Sequence, residues 1–176
     1  FRPNKREAVL ENLRDNSYDG IIMAYSCFEQ IPLSKDCYIA ELEAKKQTIL
    51  AATGNSSKVT SRLKKKEEKI QQTLDELDKC LDDLYDGVYF DELGITRLFV
   101  DEAHNFKNVP LETKMRNVMG ISSKGTKRCQ DMLDKVRCVQ RNNNGGGVVL
   151  ATGTPIANSI AEVFVIQQYL QPGELA

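Results

Sequence analysis

Two short apolar runs, each breaking off into polar residues, constrain this chain more than any other feature. Leu98-Phe99-Val100 ends in Asp101-Glu102-Ala103-His104, and about fifty residues on Val148-Val149-Leu150-Ala151 ends in Thr152-Gly153-Thr154-Pro155. Short, continuously apolar runs bounded by turn residues read as strands buried on both faces of a parallel sheet. Open α/β sheets place their ligands in the crevice at the carboxyl ends of the strands. Acids at one strand end and small polar residues at the other therefore predict one phosphate-and-metal site. Asp101 is suited to hold Mg²⁺, largely through water, because that ion keeps much of its hydration shell. Glu102 is suited to orient and deprotonate an attacking water. The plainer alternative is a strand end finished by solvated acids.

The 176 residues suit one domain, or one domain with an insertion. An apolar share of 41% allows a core, and a net charge of −1 sets up no global basic field for nucleic acid. No run of eighteen apolar residues exists, so no membrane helix is expected. No signal peptide is visible, and the expected compartment is the cytoplasm. Because the chain starts at Phe1 rather than Met, the expectation is that the true N-terminus is missing. Cys27, Cys37, Cys80, Cys129 and Cys138 are odd in number and have no C-x-x-C spacing, which favours reduced thiols over a disulfide framework or zinc site. His104 is the only histidine, so a His-rich metal centre is excluded.

The predicted class is α/β: a partial parallel sheet with flanking helices and an inserted antiparallel helical hairpin. Its segments are 1–35, 36–86 for the insertion, and 87–176. Asn4 to Leu13 reads as a helix with Val9, Leu10 and Leu13 on one face, and Ile21 to Tyr25 as a buried strand. Ser26 to Gln30 reads as one helical turn. From Asp36, Ile39, Leu42, Lys46, Ile49 and Thr53 alternate spacings of three and four, and the pattern resumes from Val59 to Leu84 beyond a Gly54–Ser57 turn. That is a coiled-coil seam with polar interruptions. Phe90 to Val100 returns to the sheet, and Asn105 to Ser123 reads as loop with short helix. Thr126 to Arg141 reads as an amphipathic helix burying Cys129, Met132, Leu133, Val136 and Val139. Asn142 to Gly147 is a connector, and Ile156 to Leu170 a helix with Ile160, Val163, Phe164 and Gln167 inward.

Charge along the hairpin is polarised. Residues 54–73 hold six cations (Lys58, Arg62, Lys64, Lys65, Lys66, Lys69) against two acids, net +4; residues 74–92 hold eight acids against one lysine, net −7. The helix dipole favours the reverse order. Lys58, Arg62, Lys64, Lys65 and Lys66, towards the hairpin tip, are therefore candidate contacts for nucleic-acid phosphates or an acidic partner, beside the plainer reading of a solvated charged surface.

Asp101-Glu102-Ala103-His104 with Lys107-Asn108 resembles motif II of the Swi/Snf-type branch of superfamily-two helicase-like ATPases. Thr152-Gly153-Thr154-Pro155-Ile156, with Asn158 and Glu162, resembles motif III of that branch and the helix after it. Tyr18-Asp19 before Ile21–Tyr25 resembles the approach to motif II. The wording Tyr25 to Pro32 is similar to large phage and mobile-element proteins that join an adenine methylase to such a motor, although no methylase motif occurs here. The likeness covers the chain outside 36–86 and implies part of the first RecA-like domain of an ATP-driven motor on double-stranded DNA, with a second RecA-like domain as its partner. It implies ATP and Mg²⁺ as cofactors, Asp101 as the metal-binding residue and Glu102 as the activator of water. It implies that His104 relays the state of the γ-phosphate, or simply steadies its loop. Thr152 and Thr154 would supply hydroxyls, and Gly153 close backbone approach.

One departure is large. No G-x-x-x-x-G-K-[ST] loop exists; Gly120 to Lys127 imitates it with Thr126 and Lys127 exchanged, and no buried strand precedes it. That stretch reads as a surface turn and helix start. The isolated chain is therefore expected to bind ATP weakly and not to hydrolyse it, the arginine finger alone being worth 10³–10⁵ in rate. A rival reading is a non-catalytic module whose hairpin recruits a partner.

Overall fold

The computed structural model describes residues 3–15, 18–53, 60–79, 87–109, 125–157 and 159–171. Six helices lie among them: α1 (Pro3–Asp15), α2 (Tyr25–Phe28), α3 (Lys35–Thr53), α4 (Thr60–Lys79), α5 (Lys127–Asn142) and α6 (Ala161–Leu170). Two strands, β1 (Leu98–Val100) and β2 (Val148–Leu150), pair in parallel with Leu98 opposite Val148, Phe99 opposite Val149 and Val100 opposite Leu150. The chain crosses from one strand to the next through α5, as a parallel pair requires.

Helix α5 follows its pattern. Thr126 is its N-cap, with the hydroxyl accepting from the Cys129 amide at 3.2 Å. All five predicted inward residues, Cys129, Met132, Leu133, Val136 and Val139, are buried. They share one core with Leu10 of α1, Phe28, Ile31, Val88, Phe90 and Val100. Each such side chain contributes roughly 1.5–3 kcal/mol when fully buried. The connector after α5 has a steric reason for its last glycine. Gly147 has φ of +90°, and a Cβ there would meet the Thr96 carbonyl oxygen at 2.8 Å. Leu98 N–H then donates to Gly147 C=O at 2.8 Å, which sets the strand register.

Several expectations are corrected. Ile21–Ala24 is extended but unpaired, Tyr25 already begins α2, and Ile21 and Ile22 are exposed rather than buried. The apolar run has no neighbouring strand among the described residues, so only Met23 and Tyr25 turn towards the core. Between Phe90 and Val100 only β1 is strand; Phe90–Leu93 makes a tight 3₁₀ turn ended by Gly94 at φ of +64°. In α1, Leu10 is buried but Val9 faces outward. Helix α6 starts at Ala161, five positions later than expected, because the Glu162 carboxylate takes the Ala157 amide at 2.7 Å and holds the preceding loop open. Its inner stripe is Glu162, Val165 and Tyr169, while Ile160 and Phe164 are exposed. A helix apolar around most of its circumference does not declare its phase.

Helices α3 and α4 pack on each other, with Lys46 Nζ donating to Gln71 Oε1 at 2.7 Å. The Gly54–Ser57 turn and the end of the second arm at Cys80–Leu84 lie outside the described residues.

Candidate functional site

Parallel pairing in this register brings the two polar motifs to one rim. The ladder runs on past the strands: Ala151 N–H donates to Val100 C=O at 2.8 Å, and Ala103 N–H to Ala151 C=O at 2.9 Å. Asp101 and Glu102 thus stand beside Ala151 and Thr152. Glu102 takes a left-handed backbone, φ 48° and ψ 44°, a conformation that costs a non-glycine residue about 1–2 kcal/mol. Its own amide offsets part of that cost by donating to Asp101 Oδ1 at 2.8 Å. The turn throws both carboxylates into solvent before Ala103–Phe106 coils into a 3₁₀ turn.

His104 joins the two motifs. Its Nδ1 lies 3.1 Å from Glu102 Oε2 and 3.3 Å from Thr152 Oγ1. Protonated, that nitrogen serves the carboxylate; unprotonated, it accepts from the threonine hydroxyl. Thr152 Oγ1 also accepts from the Thr154 amide at 3.1 Å, which folds Thr152-Gly153-Thr154 into a compact turn. Asp101, Glu102, His104, Gly153 and Thr154 are exposed and Thr152 is half-buried, so a ligand can reach the whole rim.

The supporting residues were less visible in the sequence. The Tyr25 hydroxyl donates to the Asp101 carbonyl oxygen, and its ring meets Phe106 edge-to-face at 4.9 Å. Burial first, and then the Asp101 charge, hold the Tyr25 hydroxyl above its ordinary pKa, keeping it a donor. Arg128 covers the Phe106 ring at 4.8 Å and pairs with Glu29 at 2.5 Å. The Tyr169 hydroxyl reaches the carbonyl oxygens of Phe106 at 2.9 Å and Cys129 at 3.1 Å, tying α6 to both neighbours. Lys107 donates to the Thr154 carbonyl at 2.7 Å and to buried Glu162 at 2.8 Å. One lysine thus clasps the loop after β2 to the loop after β1. Lys107 and Glu162 stood out singly in the sequence; 55 positions apart, nothing marks them as a pair.

Among the described residues no group of three or more His, Cys, Asp or Glu gathers to cage a metal. One or two carboxylates at an exposed rim fit Mg²⁺, which takes few protein ligands and fills its shell with water and phosphate oxygens. Of the basic candidates, Lys58 lies outside the described residues, while Arg62, Lys64, Lys65 and Lys66 belong to α4, a different element from the rim. Gly120–Lys124 lies outside the described residues, and Gly125-Thr126 opens α5. No helix among the described residues is long and apolar enough to cross a membrane.

A family model described as a probable helicase domain matches residues 1–176. The chain is also similar to the defense against restriction protein B of Escherichia phage P1, 23% identical over 170 residues. That alignment takes in 95% of this chain and 8% of the phage protein, so the chain spans a small part of its relative. No solved structure matches.

Proposed function

Because this chain belongs to the family of probable helicase domains, we propose that it forms part of the first RecA-like domain of a Swi/Snf-type motor. In this reading the parent protein hydrolyses ATP with Mg²⁺ and moves along double-stranded DNA against a second RecA-like domain. Residues 36–86 form an antiparallel hairpin inserted into the motor domain. The observation that carries the reading is the shared rim, with His104 within 3.3 Å of Thr152 across the two strand ends.

When bound, Mg²⁺ and ATP supply an electrophilic γ-phosphate whose charge is partly neutralised. Asp101 would hold the metal by its carboxylate. Glu102, aimed outward by its left-handed backbone, orients water and takes its proton. His104 shares hydrogen-bond distance with Glu102 and Thr152, and carries the state of the first to the loop of the second. Lys107, clasping Thr154 and Glu162, passes a shift of that loop into α6. Tyr25 fixes the Asp101 backbone, so the carboxylate moves only by its own rotamer.

In the full-length parent, Glu102→Gln keeps shape but removes the base, and should lower the turnover number for DNA-stimulated ATP hydrolysis at least ~100-fold. Nucleotide binding, read with a fluorescent ATP analogue, should survive. Unchanged turnover would refute the motor assignment. The isolated 176-residue chain should show no turnover; hydrolysis by it that disappears with Glu102→Gln would refute the incomplete-site reading instead.

A further inference from the structure

Far from the rim, two buried thiols face each other between helices distant in sequence. Cys37 sits in the first turn of α3, and Cys138 towards the end of α5. They are 9% and 3% exposed where α3 packs on α5, and each thiol is the other's leading influence. Arg141, one turn beyond Cys138, brings Nη2 to 3.1 Å from Cys37 Sγ and 3.5 Å from the Cys37 carbonyl oxygen. Its Nη1 lies 4.0 Å from Glu41 Oε2. The base of α3 is held besides: Ser34 Oγ accepts from the Cys37 amide at 3.2 Å and donates to Asp91 at 2.6 Å. The two sulfurs are therefore presented by backbones anchored independently of them.

We propose that Cys37 and Cys138 form a redox modification site, oxidised by a peroxide to a disulfide that ties the root of α3 to α5. The chemistry needs one thiolate with a thiol beside it. The hydrogen bond from Cys37, with the Arg141 charge, holds the Cys138 thiol below its ordinary pKa, at about 7. The Cys138 sulfur, with burial, holds Cys37 above its own. A thiolate is the nucleophile, and a guanidinium is one of the neighbours that stabilise it. The thiolate sulfur attacks one peroxide oxygen, the O–O bond breaks, and protonation of the leaving oxygen gives water and a sulfenic acid. The second sulfur then attacks the sulfenic sulfur. The S–S bond forms, the S–O bond breaks, and the departing hydroxide takes the second thiol's proton as water. Two electrons pass from the thiols to the peroxide, and the balance closes. With Arg141 of the α5 turn beyond Cys138 already touching Cys37 Sγ, the sulfurs close to the disulfide length of about 2.05 Å by local movement of α3 on α5. The spacing of the cysteines does not mark these two as a pair; the packing of α3 on α5 brings them together.

Tryptic mapping of the full-length protein after mild hydrogen peroxide tests the proposal, because each cysteine falls on its own peptide. Cys37 lies on 36–45 and Cys138 on 138–141, apart from those of Cys27, Cys80 and Cys129. The expected result is a linked 36–45/138–141 species that reverts with dithiothreitol and is lost in both Cys37→Ser and Cys138→Ser. Arg141→Gln removes the tryptic site at 141, so Cys138 is followed there on the longer peptide that begins at 138 and runs past 141; its linkage to 36–45 should appear roughly tenfold more slowly, the effect of one pKa unit on the thiolate fraction. Cys37 and Cys138 that stay as free thiols, or go to sulfinic and sulfonic acids without linking, would overturn it. So would indiscriminate linkage among all five cysteines, the mark of an unfolded chain.

Discussion

Lys135 shows at the scale of one residue how much this core depends on pairing. Its side chain is fully buried, yet the ammonium donates to the Phe28 carbonyl at 2.8 Å and to Asp131 at 2.7 Å. It also lies 4.5 Å from the Phe28 ring centre and 5.8 Å from that of Phe90. Burial holds the Lys135 pKa below 10.5 and the Asp131 pKa above 3.8, each against the pull of the partner. Lys135→Met leaves a part-buried carboxylate and a carbonyl without their cation, and should cost about 3 kcal/mol in urea melts. Asp131 adds a pH signature. Folded Asp131 takes its proton at a higher pH than the unfolded chain does, so its contribution is fullest below 3.8 and is lost as pH rises through the folded value. The stability difference between wild type and Asp131→Asn should therefore grow in favour of wild type as pH falls from neutral towards 4. A flat difference would mean that Asp131 titrates alike in both states.

Among the elements, α4 carries charges that its own stability does not ask for. No acid lies in its first turn, while Arg62, Lys64, Lys65 and Lys66 crowd the start and Asp75, Glu76 and Asp78 the end. Those in the first and last turns, Arg62, Glu76 and Asp78, each lose some tenths of a kcal/mol against the helix dipole. Under the proposed function, an anionic partner for the basic end would account for that order. In the parent, Lys64→Glu, Lys65→Glu and Lys66→Glu together should flatten the slope of log affinity for DNA against log salt by about one for each phosphate left unneutralised. Circular dichroism of the variant separates a lost contact from a melted α4; an unaltered slope would leave its charges without a nucleic-acid role. Elements differ in how openly they are written in the sequence. Helix α5 was legible because Cys129, Met132, Val136 and Val139 repeat at helical spacing behind a threonine cap. The strand ends were legible because two apolar runs stop at polar motifs, and parallel pairing then places Asp101 beside Ala151. Helix α6 hid its phase, since Val163, Phe164, Val165 and Ile166 are apolar in succession and the deciding contacts, Lys107 to Glu162 and Tyr169 to Phe106, are long-range and polar. Ile21–Ala24 misled for a related reason: an apolar run records what the chain can bury, and pairing depends on a neighbour that the run itself does not encode.

At the scale of the whole molecule, the described residues cover the sheet on one side only. Leu98, Val100, Val148 and Leu150 pack towards α5 and the core, while the alternate residues Phe99 and Val149 are 72% and 48% exposed. Ile22 stands fully in solvent, and a groove of about 540 Å³, lined by Ile21, Met23, Leu93, Ile95, Phe99 and their neighbours, runs between β1 and the extended segment before α2. Two strands alone are a marginal sheet, and contiguous apolar surface of this kind associates readily in water. The 176-residue chain, produced by itself, should therefore bind anilinonaphthalene sulfonate in its folded state and shift towards oligomers as its concentration rises. Ile22→Ser and Phe99→Ser remove apolar surface that no buried residue relies on. They should reduce dye fluorescence and self-association by at least about half while leaving the urea midpoint within the ±0.5 kcal/mol expected of surface changes. A wild-type chain that stays monomeric and dye-silent would show that solution rearrangement covers this face, and the open groove would then be no property of the folded chain.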